Sequence, residues 1–383
     1  MIDALETITE AVRQHGANRE AYRALGNVRA QVEGEYLILN YTEQAVYDHG
    51  WTEIEQMCRG LIFHWPTARL AARPFSKFFN LGEMPQTTLD NLPPEPPEVT
   101  VKMDGSLGIG FWYAGVYRIA TRGAFNSEQA QWATAFVRRN FASAQFPLHT
   151  TLLFEIIYPQ NRIVVDYGGE ENLYLIGAIE IADGYDHNYA SLQQIAAQYG
   201  FKLVAQAESM AVPSLVTLAA ASRGVEGWVL RYSDGLRVKL KTSEYLELHR
   251  LVSGLTTRRI HEAMTDGSLM EMVKKLPEEF RLKAEVVAAA IEAAVAAGDA
   301  KLRAAHAAIL AALADAGVGE SDQHEYMKQY ARLVNTMGLS ADERNILFML
   351  AKGREVRLLL LKMIDPSPYE GLLTFGPASE GAA

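Results

Sequence analysis

Val101-Lys102-Met103-Asp104-Gly105-Ser106-Leu107-Gly108-Ile109-Gly110-Phe111-Trp112-Tyr113 reads as a short apolar strand, a turn and a longer apolar-aromatic strand in succession. Asp-Gly between two hydrophobic runs is a common hairpin signal. The unusual member is Lys102, at the end of the first strand and two positions before the turn. Asp104 comes two residues later, so in an extended chain both side chains share a face, where the carboxylate can orient the turn or meet a ribose. Gly105 lets backbone approach a ligand closely. Alone, the stretch is a hairpin with a solvated lysine. A lysine becomes a nucleophile only when neutral, which requires neighbouring cations or burial to depress its pKa. The rest of the chain must supply those neighbours.

The surrounding texture is rich in short strands: residues 36–41, 60–63, 152–157 and 173–176 are apolar runs bounded by Gly, Pro, Asn and Asp. Helical spacing covers residues 1 to about 30 and the stretches near 126–142 and 191–200. Strands and helices mixed without regular alternation predict an α+β domain of mainly antiparallel sheets flanked by helices. After Tyr245 the texture turns almost purely helical. Ser268-x-x-Glu271 and Ser340-x-x-Glu343 predict capping boxes, residues 286–297 are alanine-rich, and Gly298, Gly317 and Gly338 are predicted helix stops. Two domains are expected, 1–243 and an all-α C-terminal domain at 244–383.

With 383 residues, 49% hydrophobic and 21% charged, the chain can bury two cores. No run reaches the roughly 18 apolar residues of a membrane span, and the acidic start (Asp3, Glu6, Glu10) lacks a signal peptide's basic opening. A cytoplasmic monomer without a membrane partner is expected. The single cysteine, Cys58, rules out an internal disulfide and a cysteine-based zinc cluster, and reads as a core residue. A net charge of −10 argues against a general nucleic-acid coat but leaves room for a local basic cleft. Arg59, Arg69, Arg73 and Lys77 lie in a stretch free of Asp and Glu, and Arg237, Lys239 and Lys241 form a second basic string. The chain has no P-loop, dinucleotide fingerprint, His-Glu-x-x-His or Gly-x-Ser-x-Gly, so phosphate binding must rest on side chains.

Glu155 lies inside an apolar run, on one face with Leu153 and Ile157, and a carboxylate there needs a partner or a metal. Glu226 opens another strand, and the pair could hold a divalent cation or a ribose hydroxyl. Lys239 and Lys241 alternate with Val238 and Leu240, which sends both ammonium groups to one face. That pattern suits either a phosphate between them or an exposed edge strand defended by lysines.

Arg59-Gly60, Arg73-Pro74-Phe75-Ser76-Lys77-Phe78-Phe79-Asn80, Lys102-x-Asp104-Gly105-Ser106-Leu107, Phe154-Glu155, Glu226-Gly227 and Lys239-Leu240-Lys241 resemble, in order, the nucleotidyltransferase motifs of ATP-dependent polynucleotide ligases. The resemblance is nearest to the RNA ligase 1 family, the phage T4 type. It implies a ligase-type nucleotidyltransferase domain whose Lys102 takes AMP from ATP, with Lys239 and Lys241 assisting. It places Arg59, Lys77, Asp104, Gly105, Arg122, Glu155 and Glu226 with these lysines in the ATP site, and puts Mg2+ or Mn2+ on Glu155 and Glu226. The implied partner is RNA bearing 5′-phosphate and 3′-OH ends, a nicked tRNA among the candidates. DNA ligases and capping enzymes follow the same motifs with a β-barrel, so the helical texture after 245 favours RNA ligase 1. A module that binds nucleic acid without catalysis is the other alternative. Arg258, Arg259, Lys274 and Lys275 are candidate phosphate contacts or a solvated helix face.

Overall fold

The structure, a computed structural model, describes residues 4–48, 50–274, 276, 278–319 and 322–373. It is α+β, with helices flanking three sheets followed by a helical region. The described chain divides into two compact units, the first reaching to His249 and the second beginning at Arg250.

The first sheet runs β1 (Val28–Glu33), β2 (Tyr36–Tyr41), β3 (Arg59–His64) and β4 (Arg69–Ala72), all antiparallel. The second has the order β11 (Lys202–Leu203), β10 (Asn172–Glu180), β9 (Thr150–Ile157), β7 (Ser106–Tyr113) and β8 (Val116–Ala120). These two share a core in which Ile38, Ile62 and Ala72 meet Ile109, Phe111, Leu153 and Ile179. Period-two alternation explains the layering. Leu37 and Leu39 turn the other way, onto Ile8 and Val12 of α1 (Ala4–His15). The outer face of the second sheet is covered by α4 (Glu128–Asn140) and α5 (Tyr189–Tyr199) through Phe136, Val137, Leu192 and Ala196.

The third sheet has the order β5 (Phe79–Asn80), β13 (Arg237–Lys241), β12 (Gly227–Arg231) and β6 (Glu98–Lys102). Val99, Trp228, Leu230, Val238 and Leu240 pack on Leu215 and Ala219 of α6 (Val212–Ala221). The intervening positions, Thr100, Lys102, Val229, Arg237, Lys239 and Lys241, therefore share the opposite face. Because β13 lies between β5 and β12, it is an interior strand, and the edge-defence reading of its lysines is set aside.

On that same face two arginines stand directly opposite one another, Arg231 on β12 and Arg237 on β13. Asp186 reconciles them. Its carboxylate accepts from Arg237 Nη2 at 2.8 Å and Arg231 Nε at 3.0 Å, while Arg231 Nη1 reaches Glu98 at 3.0 Å.

Two short helices complete the first unit's N-terminal half, α2 (Glu43–Asp48) and α3 (Glu53–Met57), and α7 (Ser243–Ser253) contains the boundary. The second unit is helical: α8 (Thr257–Asp266), α9 (Leu269–Lys274), α10 (Glu278–Asp315), α11 (Gln323–Thr336), α12 (Ala341–Leu350) and α13 (Arg357–Met363). Phe280, Ala284, Val287, Ile291, Val295, Leu302, Ile309 and Leu313 form the buried stripe of α10. Among the described residues no helix is long and apolar enough to cross a membrane.

Several local expectations change. The first helix stops at His15, where Gly16 takes φ +51°, and β1 already begins at Val28, so the helical reading of 1–30 covers two helices and the start of a strand. Gly298 lies within α10, where a Cβ would sit 3.4 Å from Leu360; its smallness serves close packing of α13. Gly317 and Gly338 do follow helices with positive φ, and the Ser340–Glu343 capping box is present. The Ser268 hydroxyl instead donates to Asp266 at 2.5 Å. Cys58 is buried in the first unit's core.

Asp186→Ala would leave the largely buried Arg237 guanidinium without its carboxylate, while Arg231 would keep Glu98. We expect it to lower the unfolding free energy of the chain by about 3–5 kcal/mol, measured by urea unfolding, with Asp186→Asn intermediate.

Candidate active site

The face of the third sheet that carries charge looks into a cavity of about 350 Å³, within the ~300–1,000 Å³ usual for small-molecule sites. Strand register explains why charge converges there. Gly227 pairs with Lys102 on one side and Lys241 on the other, so two lysines flank the start of β12, and Glu226 precedes it. Glu226, only 3% exposed, sits 2.7 Å from Lys102 Nζ and 3.3 Å from Lys241 Nζ. Gly227 makes this junction possible: its φ is +146°, and a Cβ would lie 2.0 Å from the Leu240 carbonyl oxygen.

The second sheet contributes Glu155 from β9, whose Oε1 accepts the Gly105 N–H at 3.0 Å. A Cβ on Gly105 would meet the Ile156 carbonyl at 2.6 Å, so the turn after Lys102 lies flat against β9. Asp104 is buried with its oxygens already engaged. Oδ2 accepts the N–H groups of Val164 and Val165, each at 2.8 Å, and Oδ1 accepts the Tyr245 hydroxyl at 2.7 Å. Its role is thus to fix the loop that follows β6. Lys102 and Asp104 do not lie on one extended strand, because β6 ends at Lys102.

The first sheet delivers Arg59 and Tyr41, and the loops deliver Lys77 and Arg122. Arg122 Nη1 donates to the Tyr41 hydroxyl at 2.5 Å, with its guanidinium 4.8 Å from the ring centre. Lys239 lies 4.7 Å over the Phe78 ring, and Lys241 5.0 Å over Tyr245. All ten predicted site residues line this one cavity. Tyr41, Phe78, Tyr245, His249 and Arg237 also line it; aromatic residues in apolar stretches give no charge pattern by which sequence reading could separate them from core.

Seven basic side chains and three carboxylates line the cavity, so in an acidic chain this is a positive pocket suited to a polyanion. The charges perturb one another. Burial pushes Lys239 well below the ordinary lysine range, and Arg59, Lys102, Lys77 and Lys241 push it the same way. Lys102 behaves differently from the expectation that surrounding cations neutralise it. Burial lowers its pKa, but Glu226 and then Glu155 together outweigh this, and the net direction is upward. Burial chiefly, with Glu226 and Asp104 adding repulsion against the pull of Lys102, raises the Glu155 carboxyl to about 7.

Among the described residues no cluster of three or more His, Cys, Asp or Glu side chains forms a metal site. Glu155 and Glu226 nevertheless fit a hard cation such as Mg2+, which commonly takes one or two carboxylates and completes its shell from substrate phosphate and water. Arg258 and Arg259 pair with Glu262 within their own helix, and Arg258 is 83% exposed in its side chain, as on a solvated face. Lys275 lies outside the described residues.

Residues 57–245 match the model of a family described as RNA ligase, of the T4 RNA ligase 1 type. A protein of Thermovibrio ammonificans named "Putative RNA ligase" is 29% identical over 210 residues, covering 52% of this chain and 54% of the relative. The chain thus spans about half the length of that curated relative. Two structures of the Naegleria gruberi RNA ligase, one with PPi and one a variant with ATP and Mn, are each 20% identical, with a TM-score of 0.37. Each match covers 47% of this chain and 60% of the other.

Because Glu155 holds its proton more tightly folded than at its ordinary 4.5, the stability this gives is whole below about pH 4.5 and is lost as pH rises through about 7. Glu155→Gln keeps an acceptor for Gly105 and removes that loss. Its melting temperature should exceed the wild type's by a few degrees at about pH 8 and match it at about pH 4.5; equal offsets at both pH values would contradict the assignment.

Proposed function

We propose that the chain, whose residues 57–245 match the RNA ligase family model, is an ATP-dependent RNA ligase working through an AMP–lysine intermediate at Lys102. The observation that carries this reading is the convergence of Lys102, Glu226, Lys241, Lys239, Arg59 and Lys77 on one cavity.

In the first step the Lys102 amine attacks the α-phosphorus of ATP, a P–N bond forms, and the α–β P–O bond breaks to release pyrophosphate. The amine must shed a proton first. Glu226, 2.7 Å away, is placed to accept it and also holds the ammonium on station before reaction. Lys239 and Lys241, on the same face of β13, stabilise charge gathering on the α-phosphate. Arg59, Lys77 and Arg122 suit the departing phosphates, since guanidinium can grip phosphate through two N–H groups. Glu155 and Glu226 would hold Mg2+ or Mn2+, which when bound supplies further charge neutralisation on phosphate oxygens.

In the second step a 5′-phosphate oxygen of RNA attacks the same phosphorus and the P–N bond breaks, returning the lysine. In the third, the RNA 3′-OH attacks the 5′-phosphorus, sealing the strand and expelling AMP. Gly105 and Gly227 bring backbone close to the cavity in both halves of the site. RNA with 5′-phosphate and 3′-OH ends is the proposed substrate, nicked tRNA included, and comparison of nicked tRNA, linear RNA and single-stranded DNA in a sealing assay distinguishes these.

Wild-type protein incubated with α-labelled ATP and a divalent cation should carry label through a denaturing gel. Lys102→Arg should carry none, because guanidinium stays protonated, and Lys239→Ala should label about 100-fold more slowly. Label on Lys102→Ala would overturn the nucleophile assignment.

A further inference from the structure

Resting on the adenylyl-transfer reading, we propose that Trp51 is a positioning residue for Lys77, holding its ammonium in place at the cavity. Trp51 belongs to none of the charged motifs, and it does not itself line the cavity, whereas Lys77 does.

Lys77 is half-buried, and among the described residues its ammonium has no carboxylate within ion-pair distance. The Glu83 carboxylate instead accepts from Asn80, from the backbone N–H at 2.7 Å and from Nδ2 at 2.5 Å. What faces the ammonium is a set of three rings: Trp51 at 4.9 Å, Tyr41 at 5.5 Å and Phe79 at 5.5 Å from the ring centres. The negative faces of aromatic rings attract a cation without neutralising it. A carboxylate in the same place would cancel the charge that phosphate is to meet.

The rings hold one another. Trp51 meets Tyr41 edge to face at 4.9 Å and Phe79 at 5.6 Å, and Arg122 ties down the Tyr41 hydroxyl. The backbone geometry is fixed by α3. Thr52 caps it reciprocally with Glu55: the Thr52 hydroxyl accepts from Glu55 N at 3.2 Å and Glu55 Oε2 accepts from Thr52 N at 2.9 Å. The buried Glu55 also accepts from Asn27 N at 2.9 Å, anchoring the helix to the chain before β1. At the other end of α3, the Lys77 N–H donates to the Gln56 carbonyl at 2.7 Å. One five-residue helix therefore sets Trp51 before its first turn and the Lys77 backbone against its last, and leads through Cys58 into Arg59.

The test is calorimetric binding of ATP and of inorganic pyrophosphate to wild type, Trp51→Met and Trp51→Phe, each also in a Lys77→Ala background. Methionine fills space without a π-face, so Trp51→Met should raise both Kd values about ten-fold, and Trp51→Phe should restore most of the affinity. In the Lys77→Ala background Trp51→Met should cost nothing further; an equal loss there, or wild-type affinity in Trp51→Met alone, overturns the inference. Wild-type protein that binds neither probe overturns the adenylyl-transfer reading and this inference with it. If Trp51→Met does not fold, tryptophan emission decides the matter: pyrophosphate should change it in wild type and not in Trp51→Phe, and an unchanged wild-type signal overturns the inference.

Discussion

Mutual repulsion among the basic side chains of one cavity is the constraint that the first unit is built to withstand. Seven cations face three carboxylates there, and they are accommodated by several different means. Lys102 and Lys241 share Glu226. Arg237 is bound to Asp186, together with Arg231. Lys77 leans on aromatic rings, Arg122 on the hydroxyl and ring of Tyr41. Lys239 is pushed well below the ordinary lysine range by burial and by Arg59, Lys102, Lys77 and Lys241. A polyanion entering the cavity would relieve all of these strains together, and the free site is pre-organised to receive it.

The fold supplies the convergence by simple means. Alternation on β13 points Arg237, Lys239 and Lys241 one way and Val238 and Leu240 the other, onto α6. Register then sets Lys102, Gly227 and Lys241 in a row. Glycine is required at two points of closest approach, Gly105 against β9 and Gly227 against β13. The carboxylates carry a cost of their own, since Glu155 and Asp104 are pushed upward chiefly by burial. Site chemistry here is maintained against local stability, as is common where charge is gathered for function.

Much of this was legible in the sequence because charge on a strand is conspicuous. Lys102, Glu155, Glu226, Lys239 and Lys241 interrupt apolar runs at period two, and the α+β pattern followed by helix can be read from spacing alone. The partners that complete them could not be read in the same way. Tyr41, Trp51 and Tyr245 look like core residues until distant segments are folded together. Asp104 looks like a turn residue or ligand contact, yet its oxygens are taken by Val164, Val165 and Tyr245, which lie far along the chain. The protonation of Lys102 escapes sequence reading for the same reason: the fold brings Glu226 and Glu155 to it, and the carboxylates outweigh burial. Gly298 looks like a helix stop because smallness serves termini and close helix packing equally well.

The common face of the third sheet thus carries two lysines pushed in opposite directions, Lys102 on β6 upward in pKa and Lys239 on β13 well below the ordinary lysine range. Reactivity by neutrality alone would favour Lys239, whereas the account assigns attack to Lys102 because Glu226 stands ready to take its proton. Peptide mapping by mass spectrometry after incubation with ATP and a divalent cation separates the two most directly. The account predicts an AMP adduct, labile in acid as a phosphoramidate is, on the peptide containing Lys102; an adduct on the peptide containing Lys239, or none on any lysine, would contradict it.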